Sequence, residues 1–193
     1  VFRPRLIPVL LLKGSGLVKS TRFKEHRYIG DPLNAVRIFN GLQADELMFL
    51  DISASRESRS ISPALVRELG EESDMPFAVG GGINSLEQIH DLVSAGAEKV
   101  VIGSHAVHAP DFVEASSRRF GSSTLSVCID VKSKFFGGSR VWSCSGTRAS
   151  NYTPVDFARL MEEKGAGEIV LQSIVRDGMM DGYDLDLVEQ ISN

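Results

Sequence analysis

A chain of 193 residues, 42% hydrophobic and 24% charged, can bury one sizeable core but is short for two typical domains. A formal net charge of −4 supplies no basic stripe to neutralise phosphates, which argues against nucleic-acid binding. Two cysteines, Cys128 and Cys144, cannot build a disulfide framework, and the longest apolar stretch, Leu6 to Leu12, holds Pro8 and is far short of a membrane span. Cytoplasm is the simplest compartment, with no signal peptide or membrane contact expected. The first residue is Val1 rather than methionine, which reads as a fragment or a trimmed product.

Six apolar, strand-like runs follow in order: Arg5–Leu12, Glu46–Asp51, Phe77–Val79, Lys99–Ile102, Leu125–Ile129 and Glu168–Gln172. Helix starts lie between them, at Asp31-Pro32, Ser62-Pro63, Ser85, Pro110-Asp111 and Thr153-Pro154, where proline is tolerated because its missing N–H would be unpaired anyway. Gly96 and Gly165 fall where a left-handed cap suits a residue without Cβ. A last helix is predicted from about Asp184, carrying Leu185, Val188 and Ile191. The one antiparallel signal is Phe135-Phe136-Gly137-Gly138 before Arg140-Val141-Trp142.

Repeated βα units imply a parallel sheet covered by helices, as a barrel or as a doubly wound sheet. An internal repeat separates the two. Pro8 to Lys13 lines up with Val127 to Lys132, and Ala44 to Phe49 with Ala166 to Leu171, so strand one matches strand five and strand two matches strand six. A four-unit period implies eight units. The fold class expected is therefore α/β, a TIM (β/α)8 barrel, truncated here to about six βα units because a closed barrel needs about 200 residues or more. Residues 1–193 then form a single barrel domain lacking its last two units, a remnant with two open sheet edges.

Candidate chemistry lies at the carboxyl ends of these strands, where α/β folds bind ligands. Asp130 ends the fifth run and Asp51 the second. Gly80-Gly81-Gly82 follows the third strand and Gly103-Ser104 the fourth, either as a phosphate cradle or as plain tight turns. Arg176-Asp177-Gly178 could serve a second phosphate or a sugar hydroxyl in the same way. Lys13, Lys19 and Arg22 lie in or beside a predicted long loop from Gly14 to Gly30, which either covers a site or is a solvated basic loop. At the strand starts, Arg5, Glu46, Lys99 and Glu168 would meet as two cations and two anions, a salt-bridged plug or a gate for a small molecule. The four histidines show no metal-ligand spacing and read as surface residues, so no metal is expected. No nucleophile elbow, Walker loop or dinucleotide fingerprint occurs, and no cofactor is expected.

These residues resemble the cyclase subunit of imidazole glycerol phosphate synthase, the HisF family. The similarity rests on Arg5-Leu6-Ile7-Pro8, Val18-Lys19, Gly30-Asp31-Pro32, Asp45-Glu46-Leu47, Leu50-Asp51-Ile52, Val79-Gly80-Gly81-Gly82-Ile83, Ile129-Asp130, Gly165-Ala166-Gly167-Glu168 and Arg176-Asp177-Gly178. The resemblance implies a HisF-type (β/α)8 barrel of two similar halves. It also implies a subunit that takes ammonia from a HisH-like glutaminase docked on its floor and uses it to open and cyclise a bisphosphorylated ribonucleotide in histidine biosynthesis. On that footing Arg5, Glu46, Lys99 and Glu168 match the ammonia gate, and Asp45 and Glu98 lie near the partner surface. Asp130 matches the general acid, and Lys19 the phosphate-touching loop. Gly82, Gly103 and Ser104 match the first phosphate site, which Gly81 adjoins, while Asp177 and Gly178 fall by the second.

One position departs from the family: its general base falls on Leu11, which the internal repeat pairs with Asp130. Losing one proton-transfer group costs ~10²–10⁴ in rate. Leu-Leu-Leu-Lys at this strand end is similar to HisF-like paralogues of surface-polysaccharide gene clusters, which implies a barrel that relays ammonia to a separate sugar amidotransferase. The rival implied by the same family is an authentic cyclase in which Asp130 and Asp51 suffice, and a third reading is a fragment without activity.

Overall fold

The structure is a computed structural model, and it describes residues 3–133 and 138–192. Its backbone groups into two compact units, Val1–Val18 with Tyr28–Val101, and Lys19–Arg27 with Ile102–Asn193.

In the first unit the strands β1 (Val9–Lys13), β4 (Leu47–Asp51), β5 (Phe77–Gly80) and β6 (Lys99–Ile102) run parallel in that order. The register sets Leu11 against Leu50, Leu50 against Gly80, and Val79 against Val100. Leu12, Phe49 and Val79 are buried, and Phe49 meets Phe77 edge-on at 6.3 Å. Helices α1 (Pro32–Leu42), α2 (Pro63–Glu72) and α3 (Leu86–Ser94) follow the first three of these strands. Each begins as its sequence dictates: Asp31 accepts from the amides of Leu33 and Asn34, Ser62 from Leu65, and Ser85 from Gln88. One face of each then reaches the core, through Val36, Val66 with Leu69, and Ile89 with Leu92.

The second unit holds α4 (Ser104–His108), α5 (Pro110–Phe120) and a short 3₁₀ turn (Ser122–Thr124) ahead of β7 (Leu125–Ser133). Strand β10 (Glu168–Ser173) pairs parallel with β7 on one side, and β8 (Ser139–Ser143) pairs antiparallel on the other, extended by β9 (Arg148–Ala149). Helix α6 (Pro154–Glu163), capped by Thr153, buries Phe157 and Met161, and α7 (Leu185–Ser192) is the last element. Val127, Ile129, Val131 and Val141 complete this core.

All six expected strand–helix units are present, and Gly96 and Gly165 take the positive φ of caps, 111° and 87°. Three differences from the expected strands exceed a single residue. The first strand begins at Val9 rather than Arg5, because Leu6 donates its amide to the Asp45 carboxylate instead of a neighbouring strand. The fifth runs on to Ser133 because β8 pairs with its last four residues; of the Phe135-Phe136-Gly137-Gly138 signal, residues 135–137 lie outside the described residues. The stretch Gly14–Gly30, expected as a loop, is a hairpin of β2 (Gly16–Thr21) and β3 (Lys24–Gly30), with β2 antiparallel to β1. Its two turn residues, Arg22 and Phe23, have φ of 51° and 61°. That is the left-handed pair a tight hairpin turn demands, made here without the Asn-Gly that would have announced it.

Candidate functional site

The charged residues at the strand starts divide by unit. In the first, the Glu46 carboxylate is 2% exposed and accepts from Arg5 Nη1 at 2.6 Å and from Lys99 Nζ at 3.1 and 3.3 Å. A buried carboxylate is tolerable when paired and hydrogen-bonded, and here both conditions hold. Asp45 beside it holds the approach to β1 through the Leu6 amide. Glu98 is exposed at the edge of a shallow hollow of about 300 Å³ formed with Arg67, Glu71 and Phe77. In the second unit Glu168 opens β10 in register with Ser126, whose hydroxyl donates to it at 3.3 Å.

Toward the carboxyl ends in the first unit, β1 brings Leu11 and β4 brings Leu50 and Asp51. Leu11 lies in register with Leu50 on one side and Val18 on the other. Asp51 is 7% exposed and fully engaged: one oxygen accepts from the amides of Ser53 and Ala54 at 2.9 and 3.1 Å, the other from Arg59 Nη1 at 2.6 Å. This carboxylate folds its own loop. The Gly81-Gly82 turn answers to the same loop. A Cβ on Gly82 would come within 1.8 Å of the Arg59 carbonyl oxygen, and one on Gly81 within 2.5 Å of that of Asp51. Close packing thus accounts for glycine at both positions without a ligand.

In the second unit Asp130 stands in register with Gln172 of β10 and with Trp142 of β8. Burial pushes its carboxyl up to about 7; the Cys128 thiol, 3.7 Å away, pulls the other way, and the charge of Asp177 adds to the rise. A carboxyl with that value carries a transferable proton near neutral pH. Burial and the neighbouring Asp130 also push the Cys128 thiol well up. Lys132 lies over the Trp142 ring at 4.8 Å. Lys19 is exposed on β2, next to the buried Ser20. Ser104 accepts from the Cys144 amide at 2.8 Å, and nothing crowds the Cβ position of Gly103.

Asp177 does not present itself as a free ligand. Its Oδ2 accepts from the Ser20 hydroxyl at 2.7 Å and the Phe23 amide at 3.0 Å, and its backbone oxygen from the Arg22 amide at 2.9 Å. A Cβ on Gly178 would meet the Ser20 carbonyl oxygen at 2.1 Å. His105, expected on the surface, lies partly buried and edge-on to Phe112 at 4.8 Å, and that burial, aided by His108, lowers its pKa.

Sequence reasoning missed Arg59, Ser20, Phe23 and Gln172. The first three act through loop and hairpin geometry that leaves no spacing to read. Gln172 was within reach, because the repeat that pairs Leu11 with Asp130 also pairs Leu50 with Gln172, and both pairs prove to be in register.

These features define an α/β protein of repeated βα units, with a partly buried cluster of charged side chains at its strand starts and a protonatable acid on β7. A family model described as histidine biosynthesis protein matches residues 5–193. A Pseudomonas aeruginosa protein, provisionally named imidazole glycerol phosphate synthase subunit hisF2, is 44% identical over 191 residues, 99% of this chain and 76% of the relative. A Leptospira interrogans protein, provisionally named subunit HisF of the same synthase, is 44% identical over 98% of this chain and 75% of its own length. A Vibrio vulnificus relative, provisionally subunit hisF3, is 42% identical over 98% and 74%. The chain belongs to the HisF family, and its fold is of the HisF type. Among the described residues no helix is long and apolar enough to cross a membrane.

Proposed function

We propose that this chain is a HisF-family subunit that receives ammonia from a HisH-like glutaminase partner and relays it for amidation of a sugar or glycan precursor by a separate amidotransferase, in the cytoplasm. The observation that carries this reading is the pair Leu11 and Leu50, which stands where the matching pair in the second unit presents Asp130 and Gln172. Cyclisation needs one group to take a proton and another to give one. Leucine can do neither, and Asp51 is committed to Arg59 and its own loop. The Arg5–Glu46–Lys99 cluster, with Glu46 and Lys99 buried and Arg5 exposed, supports the first half of the reading, because it groups a carboxylate and two basic side chains in the place the family resemblance gives to the gate, with Glu168 as its fourth expected member. Asp45 and Glu98 remain the residues proposed to face the glutaminase. Lys19, Gly81, Gly82, Gly103, Ser104, Asp177 and Gly178 are those proposed, from the resemblance, to surround a phosphorylated ligand.

A second reading, an authentic imidazole glycerol phosphate synthase cyclase, is favoured by Asp130 alone: its carboxyl near 7 suits proton transfer. One experiment separates the two. The chain is added to a glutaminase subunit with glutamine and the bisphosphorylated ribonucleotide. Faster glutamine hydrolysis with little cyclised product is expected, and cyclisation at the rate of ordinary family members would overturn the relay.

A further inference from the structure

The tip of the β2–β3 hairpin is a turn that its own residues disfavour. Arg22 and Phe23 both have positive φ, and Glu25 adds a third at 50°, all without glycine. Such conformations persist only where the surroundings over-determine them. Asp177 supplies that restraint, through its carboxylate to Ser20 and Phe23 and its carbonyl to Arg22. Two close fits reinforce it: Gly178 against the Ser20 backbone, and the Phe23 ring, which a Cβ on Gly146 would meet at 3.2 Å. Gln172, the cross-strand neighbour of Asp130, donates its Nε2 to the other Asp177 oxygen at 3.4 Å. One carboxylate thus connects the hairpin tip with the strand end that carries the acid.

We propose that Asp177 is a positioning residue with two outputs: its carboxylate fixes the tip of the hairpin that bears Lys19, and its negative charge acts on Asp130. Only the second output rests on the reading of Asp130 as the acid of the site. Within this unit the charged or titratable groups on the elements packed against Asp130 are Cys128 and Lys132 on β7, Arg140 on β8, Glu168 at the far start of β10, and Asp177 beyond its end. Of these, Cys128 lowers the Asp130 pKa and Asp177 raises it, on top of the larger effect of burial.

Two substitutions separate the outputs. Asp177→Asn can set its amide oxygen in the place of Oδ2, accepting from both the Ser20 hydroxyl and the Phe23 amide with its NH2 turned toward Gln172, so it keeps the tip and loses the charge; Asp177→Ala loses both. The readouts are amide hydrogen exchange at Arg22 and Phe23 and a carboxyl-carbon NMR titration of Asp130, in the whole chain. Asparagine should leave exchange close to wild type while the Asp130 midpoint falls. Alanine should speed exchange at Phe23 about tenfold, the loss expected for a hydrogen bond to a charged group, and at Arg22 less, because its bond to the backbone carbonyl of residue 177 remains, with the same fall in midpoint. Unchanged exchange in the alanine variant, or an unmoved midpoint in the asparagine variant, overturns the proposal. Should the alanine variant not fold, Ser20→Ala, which removes one bond to the carboxylate, must quicken Phe23 exchange, and an unchanged rate overturns it equally. Neither readout measures turnover or ammonia transfer, so failure of the relay would leave both results standing.

Discussion

Leu11 beside Leu50 in the first unit and Asp130 beside Gln172 in the second occupy matching places in two strand pairs that share a register throughout. Val9 faces Met48 as Cys128 faces Val170, and Leu12 faces Asp51 as Val131 faces Ser173. Register in a parallel pair is held by the buried residues along its length, since a one-residue slip would turn every core side chain outward. Leu11 and Asp130 are only half-buried, between the buried residues that hold each register, so the chemistry at that place can differ without moving the strand. One pair is aliphatic while the other carries a half-buried acid, on the same backbone plan.

The comparison can be broken or sharpened at several points. The largest effect should come from Glu46→Ala, which leaves Lys99 buried without this carboxylate; about 3–5 kcal/mol of stability should be lost in urea denaturation. Asp130 should show next. Its carboxyl rises from the ordinary 3.8 to about 7, so between those values the folded chain binds more protons than the unfolded one, and this group's contribution to stability falls as pH rises through the window. Asp130→Asn cannot ionise. It should match wild type near pH 4 and exceed it by up to about 4 kcal/mol at about pH 8, measured by denaturation at both values.

Leu11→Asp erases the difference between the two units directly. Ammonium-dependent cyclisation of the bisphosphorylated ribonucleotide should rise by about a hundredfold, the lower end of what a proton-transfer group contributes, and a wild-type rate equal to that of the variant would sink the lost-base reading. The smallest effects belong where the units agree. Asp31 and Thr153 cap the helices that follow the matching strands β1 and β7, and both are followed by proline. Asp31→Ala and Thr153→Ala should each cost about 1 kcal/mol in thermal unfolding; a large inequality would mean the two caps are not equivalent.

Much of this plan was legible in the residues. Apolar runs gave the six parallel strands, the Ser, Thr and Asp caps gave the helix starts, and Asp130 stood out as an acid closing a buried run. The repeat even anticipated that Leu11 and Asp130 are structural counterparts. Asp51 and the Gly81-Gly82 turn looked functional in the sequence because a carboxylate at a strand end and consecutive glycines are what ligand sites use. Arg59, which pairs with Asp51 and packs its carbonyl against Gly82, is eight residues from Asp51 in an irregular loop, where no periodicity marks who will touch whom.

By itself, then, the sequence determined the order and type of the main elements and the pairing of Leu11 with Asp130 through the repeat, because hydrophobic period, caps and repeats act locally along the chain. Only tertiary structure decided that the stretch after β1 is a hairpin, that Asp177 holds its tip, and that Asp51 is occupied by Arg59. Those outcomes depend on hydrogen bonds between distant residues or within irregular loops, and on buried groups whose ionisation answers to their surroundings. Neither of these leaves a pattern in the order of the residues.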